Sequence, residues 1–283
     1  MIAEQENQEH KLALMKQEME IIKRMSKIKH KIAVMSGKGG VGKSTVSVNI
    51  AAAFAKKGYK TGIMDADIHG PNVPKMFGVE GKNLKFDKEG IIPVETKEGI
   101  KVMSIGFLLP SQEAPVIWRG PAQTGAVKQF LAEINWDDLD LLIIDNPPGT
   151  GDIPLTILQS IPSLDGVVFV TTPQSVVQED VEKSVNLVKN LNIPIIGIVE
   201  NMSGFICPHC GNEVQIFGKD GGVQIADKMG INFLGRLPLD FNTPKASDIG
   251  TPIVIKEPEA EISFKMSDIV DKIEKIMKKG VIL

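Results

Sequence analysis

Short apolar segments alternate with helix-period segments from about residue 30 to the end of the chain. Apolar runs of strand length occupy residues 32–35, 60–64, 139–145, 166–171, 194–200 and 233–237. Segments with an apolar residue every three or four positions lie between or after them, at residues 46–55, 122–134, 176–190, 221–230 and 257–279. This alternation predicts one α/β domain, a mostly parallel sheet with helices on both faces. Two short apolar runs, 91–94 and 100–105, predict a hairpin at the sheet edge.

The first 29 residues have the pattern of an amphipathic helix. Its apolar stripe consists of Leu12, Met15, Met19, Ile22 and Met25. About three repeats are too few for a sustained coiled coil, so we expect the stripe to pack on the chain's own core. A coiled coil with a partner is the alternative. The sequence therefore predicts a helix at residues 1–29 and a single domain at residues 30–283.

A glycine-rich loop joins the first predicted strand to the first helix of the domain. Residues 36–45 have the sequence Ser-Gly-Lys-Gly-Gly-Val-Gly-Lys-Ser-Thr. Gly37, Gly42, Lys43 and Ser44 match the phosphate-binding pattern G-x-x-x-x-G-K-[ST]. In such a loop the backbone N–H groups surround a phosphate chain, the lysine neutralises the outer phosphates, and the hydroxyl binds magnesium. A turn without a ligand is the alternative, and the strand and helix around the loop favour a nucleotide site.

Three acidic residues end predicted strands and should meet near the phosphate loop, at the carboxyl edge of the sheet. Asp65 and Asp67 end the second strand, and Asp145 ends a nearly continuous apolar strand. Asp67 is expected to face magnesium and the attacking water, and Asp145 to hold magnesium. Asp65 is equally suited to hydrogen bonding its own loop. Residues 69–72 and 147–152 are candidate switch loops, and in the second we expect the N–H of Gly149 to contact the terminal phosphate.

Asn201 follows the strand at 194–200 and is the candidate for recognising adenine, because an amide offers both a donor and an acceptor. Pro238, in the loop after the last strand, is assigned to the same nucleotide site. Arg119, beside Trp118, is a candidate phosphate or subunit contact, with a surface ion pair as the alternative role.

The chain has two cysteines, Cys207 and Cys210, in a C-x-x-C turn. Two thiolates on one turn can bind the same metal centre, but tetrahedral zinc or a four-iron cluster needs about four ligands. A twofold symmetric dimer, in which two such turns meet, is the economical way to complete the set. His209 as a ligand, a structural zinc and a redox-active pair remain alternatives, the last disfavoured because the motif follows a late strand.

Charge and composition narrow the class of partner. The net charge is -3, with 32 basic and 35 acidic residues mixed along the sequence, which argues against a nucleic-acid surface. A charged N-terminus and the lack of any apolar run of about 18 residues predict a cytoplasmic protein without stable membrane association. The basic and apolar end at residues 278–283 is better explained by helix packing than by a membrane anchor.

Lys38 adds a second lysine directly after the first glycine of the loop. The resulting K-G-G-V-G-K-S resembles the deviant Walker A group of dimeric ATPases, which is MinD-like. Together with the sequences at 65–67, 69–72, 118–121, 147–152, 201–202 and 207–210, the chain resembles the Mrp/ApbC-type iron-sulfur cluster carriers from about residue 30 to 275. The resemblance implies the three-layer P-loop NTPase fold.

The resemblance also implies roles for individual residues. Lys38 would reach the nucleotide of the other subunit in a homodimer, and with Lys43, Asp67 and Asp145 it would form the catalytic set. ATP and Mg²⁺ would be held by Ser44 and by the rest of the loop, which comprises Gly37, Lys38, Gly39, Gly40, Val41, Gly42, Lys43 and Thr45. Cys207 and Cys210 would hold a [4Fe-4S] cluster between two subunits, with zinc possible in its place, for transfer to apo iron-sulfur proteins. Asn146 departs from the residues common there in relatives, and ATP hydrolysis is expected to be slow.

A MinD/ParA-like positioning ATPase, which would act on membrane or DNA, shares the loop and Lys38. The C-x-x-C turn and the acidic pI, about 5.9, favour the carrier. A metabolic kinase with a structural zinc is a third possibility. Such a protein would form a phosphorylated product and bind zinc tightly.

Overall fold

A computed structural model describes residues 2–68, 70–108, 120–207 and 209–279. The candidate contact Arg119 and the neighbouring Trp118 lie outside the described residues, as does His69 of the first candidate switch loop.

Within the described residues, eight strands form the main sheet in the order β12-β9-β8-β1-β7-β2-β6-β5, and two strand pairs lie outside it. The strands are β1 (Ile28–Met35), β2 (Thr61–Asp65), β3 (Lys85–Phe86), β4 (Ile91–Ile92), β5 (Val94–Glu95), β6 (Lys101–Ser104), β7 (Leu139–Asp145), β8 (Gly166–Thr171), β9 (Ile195–Glu200), β10 (Phe205–Ile206), β11 (Glu213–Val214) and β12 (Phe233–Arg236).

Helices precede, separate and follow the strands. They are α1 (Ile2–Ser26), α2 (Lys43–Lys56), α3 (Val73–Met76), α4 (Gly120–Glu133), α5 (Asp152–Ser160), α6 (Ser175–Asn190), α7 (Gly221–Met229), α8 (Asn242–Asp248), α9 (Ile253–Lys256) and α10 (Glu261–Lys279), with a 3-10 turn at Ile105–Leu108.

The sheet is parallel except for its edge strand β5, which pairs antiparallel with β6. The predicted hairpin is therefore confirmed for Val94–Glu95 and Lys101–Ser104, whereas Ile91–Ile92 pair with Lys85–Phe86 outside the main sheet. Strand β6 also extends the parallel sheet beside β2. Because parallel strands end at the same edge, the ends of β1, β2, β7 and β9 lie together. Asp65 and Asp145 are register partners at that edge.

Helices cover both faces of the sheet, as the sequence predicted. Helix α2 packs with α9 and α10 over a core that includes Ile50, Phe54 and Ile143. Helices α1, α4 and α5 enclose a second core on β1, β2 and β7, which includes Met64, Trp136 and Ile144. The central strand β7 contributes to both cores, which explains why its sequence is almost continuously apolar.

The N-terminal helix ends at Ser26, and its predicted apolar stripe is mostly exposed. Helix α1 packs on α4 through a different face, with Ile21 and Met25 buried and the Arg24 Nε donating to the carbonyl of Ala132. The four other stripe residues, Leu12, Met15, Met19 and Ile22, are 53–70% exposed. The expectation that the stripe packs on the core was wrong for these four and right for Met25. Tertiary packing selects the buried face, which helical periodicity alone does not determine.

The last helix packs as predicted as far as Lys279, and residues 280–283 of its predicted end lie outside the described residues. In α10, the side chains of Ile262, Met266, Ile269 and Ile273 are buried, and the helix contacts α2 and β12. Across the described part of the chain, no helix combines the length and the apolar character needed to cross a membrane.

Candidate functional site

The glycine-rich loop lies between β1 and α2, as the motif predicted, and close approaches explain two of its glycines. Gly42 has φ 82°, and a Cβ there would lie 2.2 Å from Nδ2 of Asn201. A Cβ on Gly37 would lie 2.5 Å from the backbone nitrogen of Val181 in α6. The loop is therefore seated against the end of β9 and against α6, with Val41 buried beneath it.

Asp145 is the acceptor on which the start of α2 converges. Its fully buried carboxylate accepts hydrogen bonds from Lys43 Nζ at 2.7 Å, Ser44 Oγ at 2.6 Å and Ser47 Oγ at 2.6 Å. A lysine, a hydroxyl and a carboxylate thus lie together at the mouth of the loop. Hydroxyl and carboxylate oxygens are the ligands that magnesium prefers, so this set fits a magnesium ion.

Asp65 lies beside Asp145 and holds the loop that follows β2. Its buried carboxylate accepts hydrogen bonds from the backbone of Asp67 at 3.1 Å and of Val73 at 3.2 Å, and from Ser104 Oγ at 3.2 Å. Burial and the negative charge of Asp145 raise the pKa of Asp65 to about 8. The loop-binding role, one of the two considered for this residue, is the one the geometry supports.

Asp67 and Gly149 lie in the two candidate switch loops. Asp67 is half-buried, and its Oδ1 accepts a hydrogen bond from the N–H of Gly70 at 3.3 Å. The N–H of Gly149 donates to the carbonyl of Ser36 at 2.8 Å. In this conformation the Gly149 N–H is therefore committed to the phosphate loop itself, and it would have to exchange that bond to contact a phosphate.

A pocket of about 90 Å³ opens beside the phosphate loop and joins Asn201 to Pro238. Gly42 and Thr45 contribute from the loop side, and residues 237–240 form the opposite wall. The Nδ2 of Asn201 donates to the carbonyl of Val41 at 2.9 Å, which fixes the orientation of its amide. Asn201, predicted for the base, and Pro238, predicted for the same nucleotide site, are thus brought together. The apolar side chains of Leu237 and Leu239 beside Pro238 are the part of the pocket that sequence reasoning missed.

Lys38 points toward α6 of its own chain. Its Nζ lies 3.1 Å from a carboxylate oxygen of Asp180 and donates to the carbonyl of Val176 at 3.0 Å. In turn, Lys38 and Lys183 lower the pKa of Asp180 by hydrogen bonding to its carboxylate. Its predicted contact with a second subunit would require Lys38 to leave Asp180.

Cys207 and Cys210 occupy the turn of a small hairpin formed by β10 and β11. The Cys207 N–H donates to the Asn212 carbonyl at 2.9 Å, and the Gly211 N–H donates to the Cys207 carbonyl at 2.8 Å. The backbone N–H groups of Cys210 and His209 lower the pKa of the Cys207 thiol, which favours the thiolate that binds metals. Cys210 and His209 are exposed.

No group of three or more His, Cys, Asp or Glu side chains suited to one metal ion occurs among the described residues. Within that part of one chain, the hairpin therefore supplies two thiols and no complete ligand set.

Sequence reasoning missed two other polar residues of this region. Ser47 lies one helical turn after Lys43 and Ser44, and this spacing on a helix was a usable signal. Buried Glu200, the last residue of β9, accepts the Gly222 N–H at 2.6 Å and the Arg236 Nε at 3.2 Å. The partners of Glu200 are distant from it in the sequence, so no local pattern indicated these hydrogen bonds.

Comparison with known proteins agrees with this geometry. The sequence model described as ParA, NUBPL iron-transfer P-loop NTPase, matches residues 27–274. The "Iron-sulfur cluster carrier protein" of Methanocaldococcus jannaschii is 56% identical over 266 residues, which cover 93% of this chain and 92% of the relative.

Two solved structures have the same fold. One is a nucleotide-binding protein of Archaeoglobus fulgidus in complex with ADP, with a TM-score of 0.75 and 42% identity, covering 87% of this chain and 95% of that one. The other is the cell division ATPase MinD of Pyrococcus furiosus, with a TM-score of 0.62 and 20% identity, covering 88% and 99%. At 20% identity the MinD likeness shows the fold alone, which is that of P-loop NTPases.

Proposed function

Because the chain belongs to the family of NUBPL iron-transfer P-loop NTPases, we propose that it binds and hydrolyses ATP and carries a [4Fe-4S] cluster between two subunits for transfer to apo-proteins. The observation that carries this proposal is the turn of the β10–β11 hairpin, whose two thiols lie on a segment that follows closely after the pocket residues Asn201 and Met202. The relative from M. jannaschii is named as an iron-sulfur cluster carrier, which supports the same function.

The nucleotide half of the proposal rests on the groups around Asp145. We assign the phosphates to the N–H groups of the glycine loop and to Lys43, and the base to the pocket between Asn201 and Pro238. Ser44 and Asp145 would hold Mg²⁺, whose charge neutralises the phosphates during phosphoryl transfer. Lys43 now donates to Asp145, so phosphate binding would require the lysine to exchange one anionic partner for another.

Asp67 is assigned to the water that attacks the terminal phosphate. Its support is its position two residues after buried Asp65, which holds the backbone N–H of Asp67 in place. Gly149 is assigned to the terminal phosphate, at the expense of its bond to the Ser36 carbonyl. Both assignments make hydrolysis depend on loops that rearrange around the phosphate, and this is the physical reason to expect slow turnover.

The cluster is the cargo of the protein, and its proposed site needs two chains. Two thiols from each of two hairpins give four ligands, the number that a four-iron cluster takes from cysteine. Lys38 gives the dimer its dependence on nucleotide, because in the closed dimer it would exchange Asp180 for the phosphates of the other subunit. Cytoplasmic location and the lack of nucleic-acid and stable membrane partners remain predictions.

Anaerobic reconstitution with iron and sulfide tests the cargo assignment. We expect about four irons per dimer in the wild-type protein, and a loss of nearly all bound iron in Cys207→Ser/Cys210→Ser. His209→Ala is the matched control in the same turn, and it should retain the full load. Full iron loading of the double cysteine variant, or zinc as the only metal after anaerobic purification, would contradict the proposal.

A further inference from the structure

The cysteine hairpin and the pocket beside the phosphate loop are built from the same two stretches of chain. The first stretch runs from Asn201 and Met202, which line the pocket, directly into Phe205 of β10. The second, residues 237–241, follows β12, and residues 237–240 form the opposite wall of the pocket before α8 begins. A change in the width of the pocket therefore acts on the segments that carry the hairpin.

Three backbone hydrogen bonds join these stretches. The Leu237 N–H donates to the Glu200 carbonyl at 2.9 Å, and the Ser203 N–H donates to the Leu237 carbonyl at 2.9 Å. The Leu239 N–H donates to the Gly204 carbonyl at 2.8 Å. These bonds continue the pairing of β9 with β12 beyond the ends of both strands, so the pocket wall and the root of the hairpin form one unit.

Side chains fix both ends of this unit. At the β9 end, the carboxylate of Glu200 accepts a hydrogen bond from Ser203 Oγ and another from the Gly222 N–H at 2.6 Å. At the α8 end, the Asp240 Oδ2 accepts from the Thr243 N–H at 2.6 Å and from its Oγ1 at 2.7 Å. The turn closed by Asp240 and Thr243 holds the aromatic residue that contacts the hairpin.

Phe241 provides that contact. Its ring meets the ring of Phe205 edge to face, with centroids 5.0 Å apart and planes at 83°. Phe241 is 61% exposed and is not among the residues that line the pocket, so it contributes little to the core. We propose that Phe241 is a positioning residue that transmits occupancy of the pocket to Cys207 and Cys210.

Backbone hydrogen bonds connect Phe205 to the cysteine turn. Phe205 pairs with Val214, and the turn is closed by the hydrogen bonds of Cys207 to Asn212 and Gly211. A shift of Phe205 therefore reaches Cys207, two residues further along the same strand and turn. The inference rests on the proposed function in one respect, which is that the ligand of the pocket is a nucleotide.

Thiol alkylation measures this coupling directly, because the chain has only two cysteines. Reduced, cluster-free full-length protein is treated with iodoacetamide, with and without saturating ADP. In the wild type we expect ADP to slow alkylation at least about fivefold, the lower end of typical coupling between two sites. In Phe241→Ala the effect should fall below about twofold while the ADP affinity stays within about twofold of the wild type, since the coupling and not the pocket is removed.

Two further variants separate transmission from a general structural effect. Phe241→Tyr keeps the ring contact and should keep the response to ADP. Phe86→Ala removes another exposed aromatic side chain, on β3, and should behave as the wild type. ADP binding without any change of alkylation rate in the wild type, or an undiminished response in Phe241→Ala, would overturn the inference.

These failures differ from failure of the proposed function. A wild-type protein that binds no ADP refutes both ideas, whereas one that responds to ADP but takes up no iron on reconstitution refutes only the cargo assignment.

Discussion

The carboxylate of Asp145 is the shared hydrogen-bond acceptor for the start of α2. Three donors from one helix turn, Lys43, Ser44 and Ser47, share this fully buried acceptor. Breaking a buried ion pair leaves an uncompensated charge, and this costs far more than the loss of one neutral hydrogen bond. The arrangement therefore keeps Lys43 in place in the absence of phosphates. It also makes the stability of the nucleotide-free protein depend on Asp145.

Replacing Asp145 with Asn should reveal this dependence. We expect Asp145→Asn to lower the free energy of unfolding of the nucleotide-free protein by about 3 kcal/mol, because buried Lys43 loses its counter-charge. Ser47→Ala removes one donor to the same carboxylate and should cost about 1 kcal/mol. Urea denaturation of the two variants measures the difference, and equal losses would show that the ion pair does not dominate.

Gly42 is a phosphate-loop glycine at which an added side chain would meet both a positive φ and a close neighbour. Gly42→Ala would place a Cβ at positive φ and 2.2 Å from the amide of Asn201. We expect a loss of at least about 2 kcal/mol in the free energy of unfolding and a weaker affinity for ADP. Gly39→Ala is the control, since the nearest atom to its added Cβ is Pro148 Cγ at 4.0 Å. A similar loss in both variants would mean that the loop tolerates no side chain anywhere, independently of Asn201.

At the scale of elements, the sequence predicted what depends on local pattern and failed where packing chooses between faces. The strand, loop and helix of residues 28–56 follow from one motif and its flanking periodicity. Helix α1 also exists as predicted, yet most of its apolar stripe faces away from α4. Periodicity shows that a helix has an apolar side, but the energy gained from Ile21, Arg24 and Met25 against α4 decides which side is buried.

The contact between α2 and α10 includes a carboxylate, that of Glu274, whose stabilising effect depends on pH. Glu274 of α10, 16% exposed, accepts hydrogen bonds from Lys278 at 2.6 Å, from Lys57 and from Tyr59 at 2.7 Å. These donors, Lys278 first, lower the pKa of Glu274 to about 2. A carboxyl group whose pKa is lowered in the folded protein stabilises the fold at pH values above its pKa in the unfolded chain, which is about 4.5 for Glu274. That stabilisation is lost as the pH falls toward 2.

Glu274→Gln should therefore destabilise the protein in a way that depends on pH. At pH 7 we expect a loss of about 1 kcal/mol or less, as for other partly exposed ion pairs, and a smaller difference from the wild type at pH 3. Urea denaturation at the two pH values measures the difference in free energy of unfolding between the variant and the wild type. Glu133→Gln, on the exposed face of α4, is the control. A difference that grows on acidification would contradict the assigned direction of the pKa shift.

At the scale of the whole molecule, the contacts that define the candidate site join segments far apart in the sequence. The phosphate loop touches α6 through Gly37 and Lys38, and the pocket wall at 237–240 meets Asn201 through the pairing of β9 with β12. Sequence patterns predicted Asn201, Pro238 and Lys38 separately. Their neighbours could not be predicted, because Asp180 and Leu237 carry no signal until the order of the strands is known.

Lys38 and Asp180 provide a test of the proposed dimerisation. If Lys38 leaves Asp180 to contact the nucleotide of a second subunit, the ion pair within one chain competes with dimerisation. Lys38→Gln should abolish ATP-dependent dimerisation and leave ADP affinity within about twofold, since its proposed contact is made only across the dimer. Asp180→Asn weakens the competing contact and should shift the monomer–dimer equilibrium toward the dimer by a few-fold, about the range of a surface ion pair.

Sedimentation velocity with ATP and Mg²⁺ measures both variants against the wild type. Lys183→Gln is the matched control, because Lys183 contacts the same carboxylate of Asp180 at 3.2 Å but lies outside the loop. A Lys38→Gln protein that dimerises normally would remove the lysine from the subunit contact. An Asp180→Asn protein that dimerises less than the wild type would show that Asp180 supports the dimer, and the proposed exchange of partners would then be wrong.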